Sequence, residues 1–232
     1  MINIIKQSDR YEFIKKFQDP AFEPFFEVYS PYLLDLKEII FGLGEALEGN
    51  IFFRQQASSL NELEPHFLGK RRCLALLATV HNNVVEIGFN AGHSAMLMLS
   101  ANPNLQLTSI DLGNHKYTIP CFDYLNQKFG NRNKLVVSDS SQAFPLLNPQ
   151  DRQATLFIID GGHSLNMAET DLFNCIQFGR RGSVILFDDT DDANLRILLN
   201  MYVAMGLILP LIDYHGILKN TNQMLFINNK FD

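Results

Sequence analysis

Val85-Glu86-Ile87-Gly88-Phe89-Asn90-Ala91-Gly92-His93-Ser94 is the stretch that decides the fold. A short apolar run breaks into a glycine turn, and a helical pattern opens directly after it. That succession is how a parallel strand feeds a helix. Gly88 and Gly92 permit a tight turn and close approach of a ligand to the backbone. The helix predicted over Ser94–Ala101 would present free N–H groups and a partial positive charge at its start. Ser94 stands at that start either as an N-cap or as a ligand contact.

Outward from this stretch the same alternation repeats. The runs NVVEI, QLTSID, KLVVS, ATLFIID and SVILFDD are almost continuously apolar, as in parallel strands covered on both faces. Helices are predicted between and after them at Pro120–Phe129, Gln142–Leu147, Met167–Phe178 and Ala193–Met205. Two further strands, LILPLIDY and QMLFINN, are joined by a short helix-free linker and should form an antiparallel hairpin. The fold class expected is α/β: a Rossmann-like, doubly wound, mostly parallel seven-stranded sheet with a C-terminal antiparallel hairpin.

Upstream, nine of the 19 phenylalanines lie in residues 1–70, a part that reads as helical. One helix is predicted to open at Pro31 and stop at Gly49-Asn50, and another to run over Glu64–Val80. Residues 1–63 are therefore read as an N-terminal helical extension and 64–232 as the nucleotide-binding domain. The phenylalanines serve core packing, or else a lid or a homo-oligomer contact.

Composition narrows the function. The chain is 47% hydrophobic with a net charge of −6, and its densest basic run, Lys70-Arg71-Arg72, reads as a solvated helix face, so no nucleic-acid partner is expected. The three cysteines are widely spaced, which argues against a disulfide framework or a zinc site. The longest apolar stretch, Ala204–Ile212, is interrupted by Gly206 and Pro210, and no secretory leader is visible. A cytoplasmic protein that makes no membrane contact is expected.

A doubly wound sheet binds ligands at the carboxyl ends of its strands. A dinucleotide fingerprint needs glycine where Asn90 and His93 stand, so it fails twice. Glu86 is unhelpful beside a pyrophosphate but suits the ammonium of an amino-acid ligand. Asp111, ending the second strand, either accepts from ribose hydroxyls or opens the turn with Leu112-Gly113. Asp139 and Ser140, after the third strand, suit an adenine ring, a helix cap, or both.

Glu86-x-Gly88-x-Asn90-x-Gly92, Asp111 and Asp139-Ser140 together resemble the S-adenosylmethionine (SAM) motifs of class I methyltransferases. The resemblance implies that Glu86, Gly88, Phe89, Asn90, Gly92 and Ser94 surround the methionine part of SAM. It places ribose at Asp111 and Leu112, and adenine at Asp139 and Ser140. Asn90 replaces the usual middle glycine, and asparagine accepts the left-handed backbone angles needed there.

The fourth strand ends in Asp160-Gly161-Gly162-His163-Ser164 and the fifth in Asp188-Asp189-Thr190-Asp191-Asp192. Neighbouring strand ends would bring Asp160, Asp188 and Asp189 together beside the cofactor. Clustered carboxylates repel, and protonation or a hard cation such as Mg²⁺ relieves them. Asp191 or Asp192 is expected to cap the next helix. The set is similar to the metal ligands of catechol-type and macrolide- or sugar-type O-methyltransferases, which implies Asp160, Asp188 and Asp189 as metal ligands. Asp-Asp replaces the usual Asp-Asn, and His163 stands where the catechol-type enzymes have a catalytic lysine. His163, with Asp160 and Asp188, is the expected catalytic group; a structural role for His163 is the alternative. The function expected is SAM-dependent, metal-assisted O-methylation of a small-molecule hydroxyl. An NAD-linked oxidoreductase and a non-catalytic SAM-binding protein are the competing readings.

Overall fold

The computed structural model describes residues 15–16, 19, 21–53, 63–162, 164–211, 218 and 221–230. Its centre is a seven-stranded sheet in the order β3-β2-β1-β4-β5-β7-β6. The strands are β1 (Asn83–Ile87), β2 (Gln106–Asp111), β3 (Asn133–Val137), β4 (Leu156–Ile159), β5 (Val184–Phe187), β6 (Ile208–Pro210) and β7 (Met224–Asn228). Strands β1 to β5 run parallel, and β7 pairs antiparallel with both β5 and β6. The predicted sheet and hairpin are present. Strand β6 is shorter than expected, and part of its predicted run lies outside the described residues. Pro210 has no N–H to give a ladder, and β6 is accordingly an edge strand.

The helices are α1 (Phe26–Gly42), α2 (Leu68–Val80), α3 (His93–Ala101), α4 (Thr118–Lys128), α5 (Ser140–Leu146), α6 (Leu165–Phe178) and α7 (Ala193–Ala204). Successive strand residues point to opposite faces, so each strand feeds two cores. Val84, Leu156, Ile158, Leu186 and Leu225 pack with residues of α1 to α4. Val85, Phe157, Ile159, Ile185, Phe187 and Phe226 pack with residues of α5 to α7. No helix among the described residues is long and apolar enough to cross a membrane.

The N-terminal region differs in detail from the sequence reading. Helix α1 begins five residues before Pro31 and ends at Gly42, where Gly44 turns the chain at φ 65. Pro31 lies near enough to the helix start that its missing N–H removes only one helical bond. Tyr29, Leu36 and Phe52 are fully buried in the same core as α2 and α3. Phe52 and Phe53 thus serve core packing, whereas Phe26 and Phe41 are exposed.

The basic run also departs from expectation. Arg71 is 1% exposed, with its guanidinium donating to both Glu23 carboxylate oxygens (2.8 and 2.6 Å) and to the Ile51 carbonyl. Arg72 donates to the Phe22 carbonyl. A charge run reads as solvated until its partners are known, and these partners lie 20 to 50 residues upstream.

Candidate active site

Strand order reverses between β1 and β4, and the crevice opens at their carboxyl ends. A Cβ on Gly88 (φ +99) would lie 2.0 Å from the Asp160 carbonyl oxygen, so only glycine lets these two strand ends close together. Gly92 (φ +75) is the N-cap residue of α3, and a Cβ there would strike the Phe89 ring at 2.5 Å. Ser94 therefore sits inside the helix and is not its cap. Asn90 has φ 52, the left-handed geometry expected of it.

Below the turn, Glu86 is completely buried and accepts hydrogen bonds from the Ser94 and Ser109 hydroxyls. Burial pushes its carboxyl up to about 7, against the pull of both serines. Glu86 supports the turn from beneath, whereas Gly88, Phe89, Asn90 and Ser94 line a cavity of about 850 Å³.

Asp111 lines the same cavity and takes part in the turn as well. Its Oδ2 accepts from the Asn90 backbone N–H (2.8 Å) and its Oδ1 from that of Gly113 (2.7 Å). Leu112 is an exposed rim residue. Asp139 caps α5 through the Ser141 N–H and hydroxyl, which hold its carboxyl below the ordinary range. Asp139 and Ser140 also line the cavity, as does Asp171 of α6. Asp171 is buried, its carboxyl is pushed up to about 6 by burial, and Oδ1 has no hydrogen-bond partner among the described residues. His93 is another buried lining residue, set against Phe52 and Phe53 (5.6 and 6.1 Å), and burial pulls its imidazole down to about 4. The sequence reading singled out neither Asp171 nor His93 as a site residue.

Beyond the glycine turn, Asp160, Asp188 and Asp189 do come together at the ends of β4 and β5. The unforeseen member of this group is Lys70 of α2. Its Nζ lies 2.8 Å from Asp188 Oδ2 and 4.0 Å from Asp189 Oδ1. Burial opposes the charge on Lys70, but Asp188, with help from Asp160 and Asp189, carries its ammonium above the ordinary value. Burial and the neighbouring Asp188 raise the Asp160 carboxyl well above its usual range, with Lys70 pulling the other way. Asp189 has φ 55 and its Oδ1 accepts from the Asn222 amide at 2.8 Å. Asp192 caps α7, as expected of one of the last two aspartates. His163 lies outside the described residues.

A strap from residues 43 to 53 forms one wall of the cavity. The Asn90 amide donates to the carbonyls of Glu48 and Gly49 (2.9 Å to the latter). Glu45 pairs with His115 at 2.8 Å, and the His115 ring stacks on Tyr117. The position that departs from the usual glycine pattern thus ties the strap to the turn. Sequence periodicity carries no signal for a contact over 41 residues.

Residues 85–190 match the family model of a methyltransferase domain. That stretch, which runs from β1 to the end of β5, is similar to a methyltransferase domain. No curated protein matches it. The chain is similar in fold to cofactor-bound Rv0187 from MTB, at 18% identity over 97% of each chain and a TM-score of 0.59. It is likewise similar to the O-methyltransferase TomG from Streptomyces achromogenes, involved in tomaymycin synthesis and solved with SAM. That likeness has 14% identity, 86% and 90% coverage of the two chains, and a TM-score of 0.58. An O-methyltransferase from Bacillus cereus in complex with SAH aligns at 13% identity, over 86% and 91% of the chains, with a TM-score of 0.58. The fold is thereby shared with these proteins over 86–97% of the chain.

The residues of the cavity fit SAM. Asp111 lines the cavity with a carboxylate, and the buried His93 Nε2 and Asp171 Oδ1, also of lining residues, lack partners among the described residues. A divalent cation fits less well. Asp188 Oδ2 holds Lys70 and Oδ1 accepts from the Asp189 N–H, while Asp189 Oδ1 holds Asn222. Among the described residues no group of three or more His, Cys, Asp or Glu is arranged to hold a metal. The repulsion that suggested a cation is met here by the Lys70 ammonium.

Proposed function

We propose that this methyltransferase transfers the methyl group of SAM to a hydroxyl oxygen of a small-molecule acceptor. The observation that carries the reading is one continuous cavity. It runs from the glycine turn, Asp111 and Asp139 to the charged group Lys70, Asp160 and Asp188. When bound, SAM supplies a methyl group on a positively charged sulfur. Gly88 to Gly92 would receive its methionine end, Asp111 the ribose hydroxyls, and Asp139 with Ser140 and Asp171 the adenine. The acceptor oxygen forms the new C–O bond as the C–S bond breaks, and that bond's electron pair stays on sulfur. The hydroxyl proton passes to a base, for which His163 is our candidate. The protein's main contribution is alignment of the two reactants.

A hydroxyl acceptor is favoured over a nucleobase amine by Asp160-Gly161-Gly162-His163, which lacks the Pro-Pro-aromatic element of amine-directed relatives. The O-methyltransferases among the structural neighbours agree with this choice. The test is calorimetry with SAM and SAH, followed by transfer of labelled methyl to matched sets of hydroxyl- and amine-bearing small molecules. Micromolar affinity, about −8 kcal/mol, is expected. Asp111→Ala should weaken it by about 1–3 kcal/mol through lost charge-assisted hydrogen bonds. Folded protein that binds neither ligand, or that methylates only amines, would defeat the proposal.

A further inference from the structure

We infer that Lys70 is the resident cation of the carboxylate centre, standing where the aspartate pattern alone calls for a divalent metal, so that this methyltransferase works without one. The inference rests on the proposed methyl transfer for its functional meaning but not for its structural test. Three observations carry it. First, the ammonium is seated: Nζ is 2.8 Å from Asp188 Oδ2, and the side chain is only 16% exposed. Second, the seat is held from behind. Arg71, the next residue on α2, is locked by both Glu23 oxygens and by the carbonyls of Ile51 and Glu64, and Arg72 by the Phe22 carbonyl. These bonds fix the rotation of α2 and with it the direction in which Lys70 leaves the helix. Third, two further carboxylate oxygens that a metal would use are engaged. Asp188 Oδ1 accepts from the Asp189 N–H at 2.9 Å, and Asp189 Oδ1 accepts from Asn222 at 2.8 Å.

An ammonium has three donors, and the bond to Asp188 uses one. Lys70 lines the cavity, so its other donors face the space where an acceptor would lie. There it acts as a positioning residue. It orients the acceptor oxygen by donating to it and offsets the negative charge that grows as the proton leaves. Lysine suits this part because its charge is compact and its donors rotate.

The test titrates MnCl₂ into the whole protein, followed by electron paramagnetic resonance, for wild type, Lys70→Met and Lys70→Ala. SAH calorimetry on each variant reports whether it is folded. Wild type should hold no Mn²⁺ below about 1 mM, the weak end of protein divalent-cation sites. Lys70→Met, which keeps the apolar stem and removes the charge, should gain a saturable site at least about tenfold tighter, because the carboxylates lose the ammonium that is seated on them. Adding Asp188→Asn to Lys70→Met should abolish that site. Transfer by wild type should be unchanged in excess EDTA. Saturable Mn²⁺ binding by wild type, no gain in either Lys70 variant while SAH still binds, or loss of transfer in EDTA would each overturn the inference. If wild type fails to bind SAH, the proposed function falls; cooperative thermal unfolding then reports folding, and the Mn²⁺ comparison still decides the role of Lys70.

Discussion

Glu86→Gln isolates the consequence of placing a carboxyl under the glycine turn. Glu86 is 0% exposed, and its carboxyl titrates at about 7 against an ordinary value of 4.5. Burial is the largest cause, and the hydroxyls of Ser94 and Ser109 oppose it only in part. Below the ordinary value the group is protonated in both the folded and unfolded chain and has no effect on stability. As pH rises toward the folded value, the unfolded chain releases the proton while the folded one keeps it. The unfolded state then binds fewer protons, so stability falls with pH and levels off above the folded value. The full loss is about 3 kcal/mol, at 1.36 kcal/mol per tenfold shift in proton affinity. Between about pH 5 and pH 8 the change is about 2–3 kcal/mol. Glutamine keeps the shape and does not titrate. Urea unfolding of both proteins at the two pH values should show the variant gaining about 2–3 kcal/mol relative to wild type at the higher pH. Lost or mismatched hydrogen bonds to the serines would shift both pH values equally and cancel in the comparison. A stability difference constant within about 0.5 kcal/mol would refute the reasoning.

Gly88→Ala puts a Cβ 2.0 Å from the Asp160 carbonyl oxygen at a φ of +99, so β1 and β4 must part by about 1 Å to restore even a 3.0 Å contact. We expect a loss of at least about 3 kcal/mol in urea unfolding and no measurable SAH binding; a near-wild-type variant would show that the strand ends are not in contact. Asn90→Gly keeps the left-handed angle but releases the carbonyls of Glu48 and Gly49. Limited proteolysis should then cut within residues 43–53 sooner than in wild type, with stability down by about 1–2 kcal/mol; unchanged cleavage would mean that the strap is held elsewhere. His163→Ala should slow methyl transfer by about 10²–10⁴ with SAH affinity unaltered if this imidazole removes the acceptor's proton, and a smaller effect would assign that proton to another group.

The sequence by itself determined the sheet. NVVEI and QLTSID are β1 and β2 to the residue, because strands buried on both faces must be apolar throughout and are cut sharply by turn residues. It also located the crevice, since Gly88, Asp111 and Asp139 lie at or just past strand ends and line one cavity. Asn90 was legible too, because a left-handed angle is a local property. What lay beyond reach were the partners. Ser94 resembles a cap in sequence, and only the backbone angles of Gly92 show that the helix has already begun. Asp188 and Asp189 look like an unneutralised pair until α2 is folded against the sheet and brings Lys70 across 118 residues. The same packing turns Arg71 inward and closes residues 43–53 over the cavity. Periodicity reports which face of an element is buried. It does not report which other element covers that face, and the charge balance of this site is set by that choice alone.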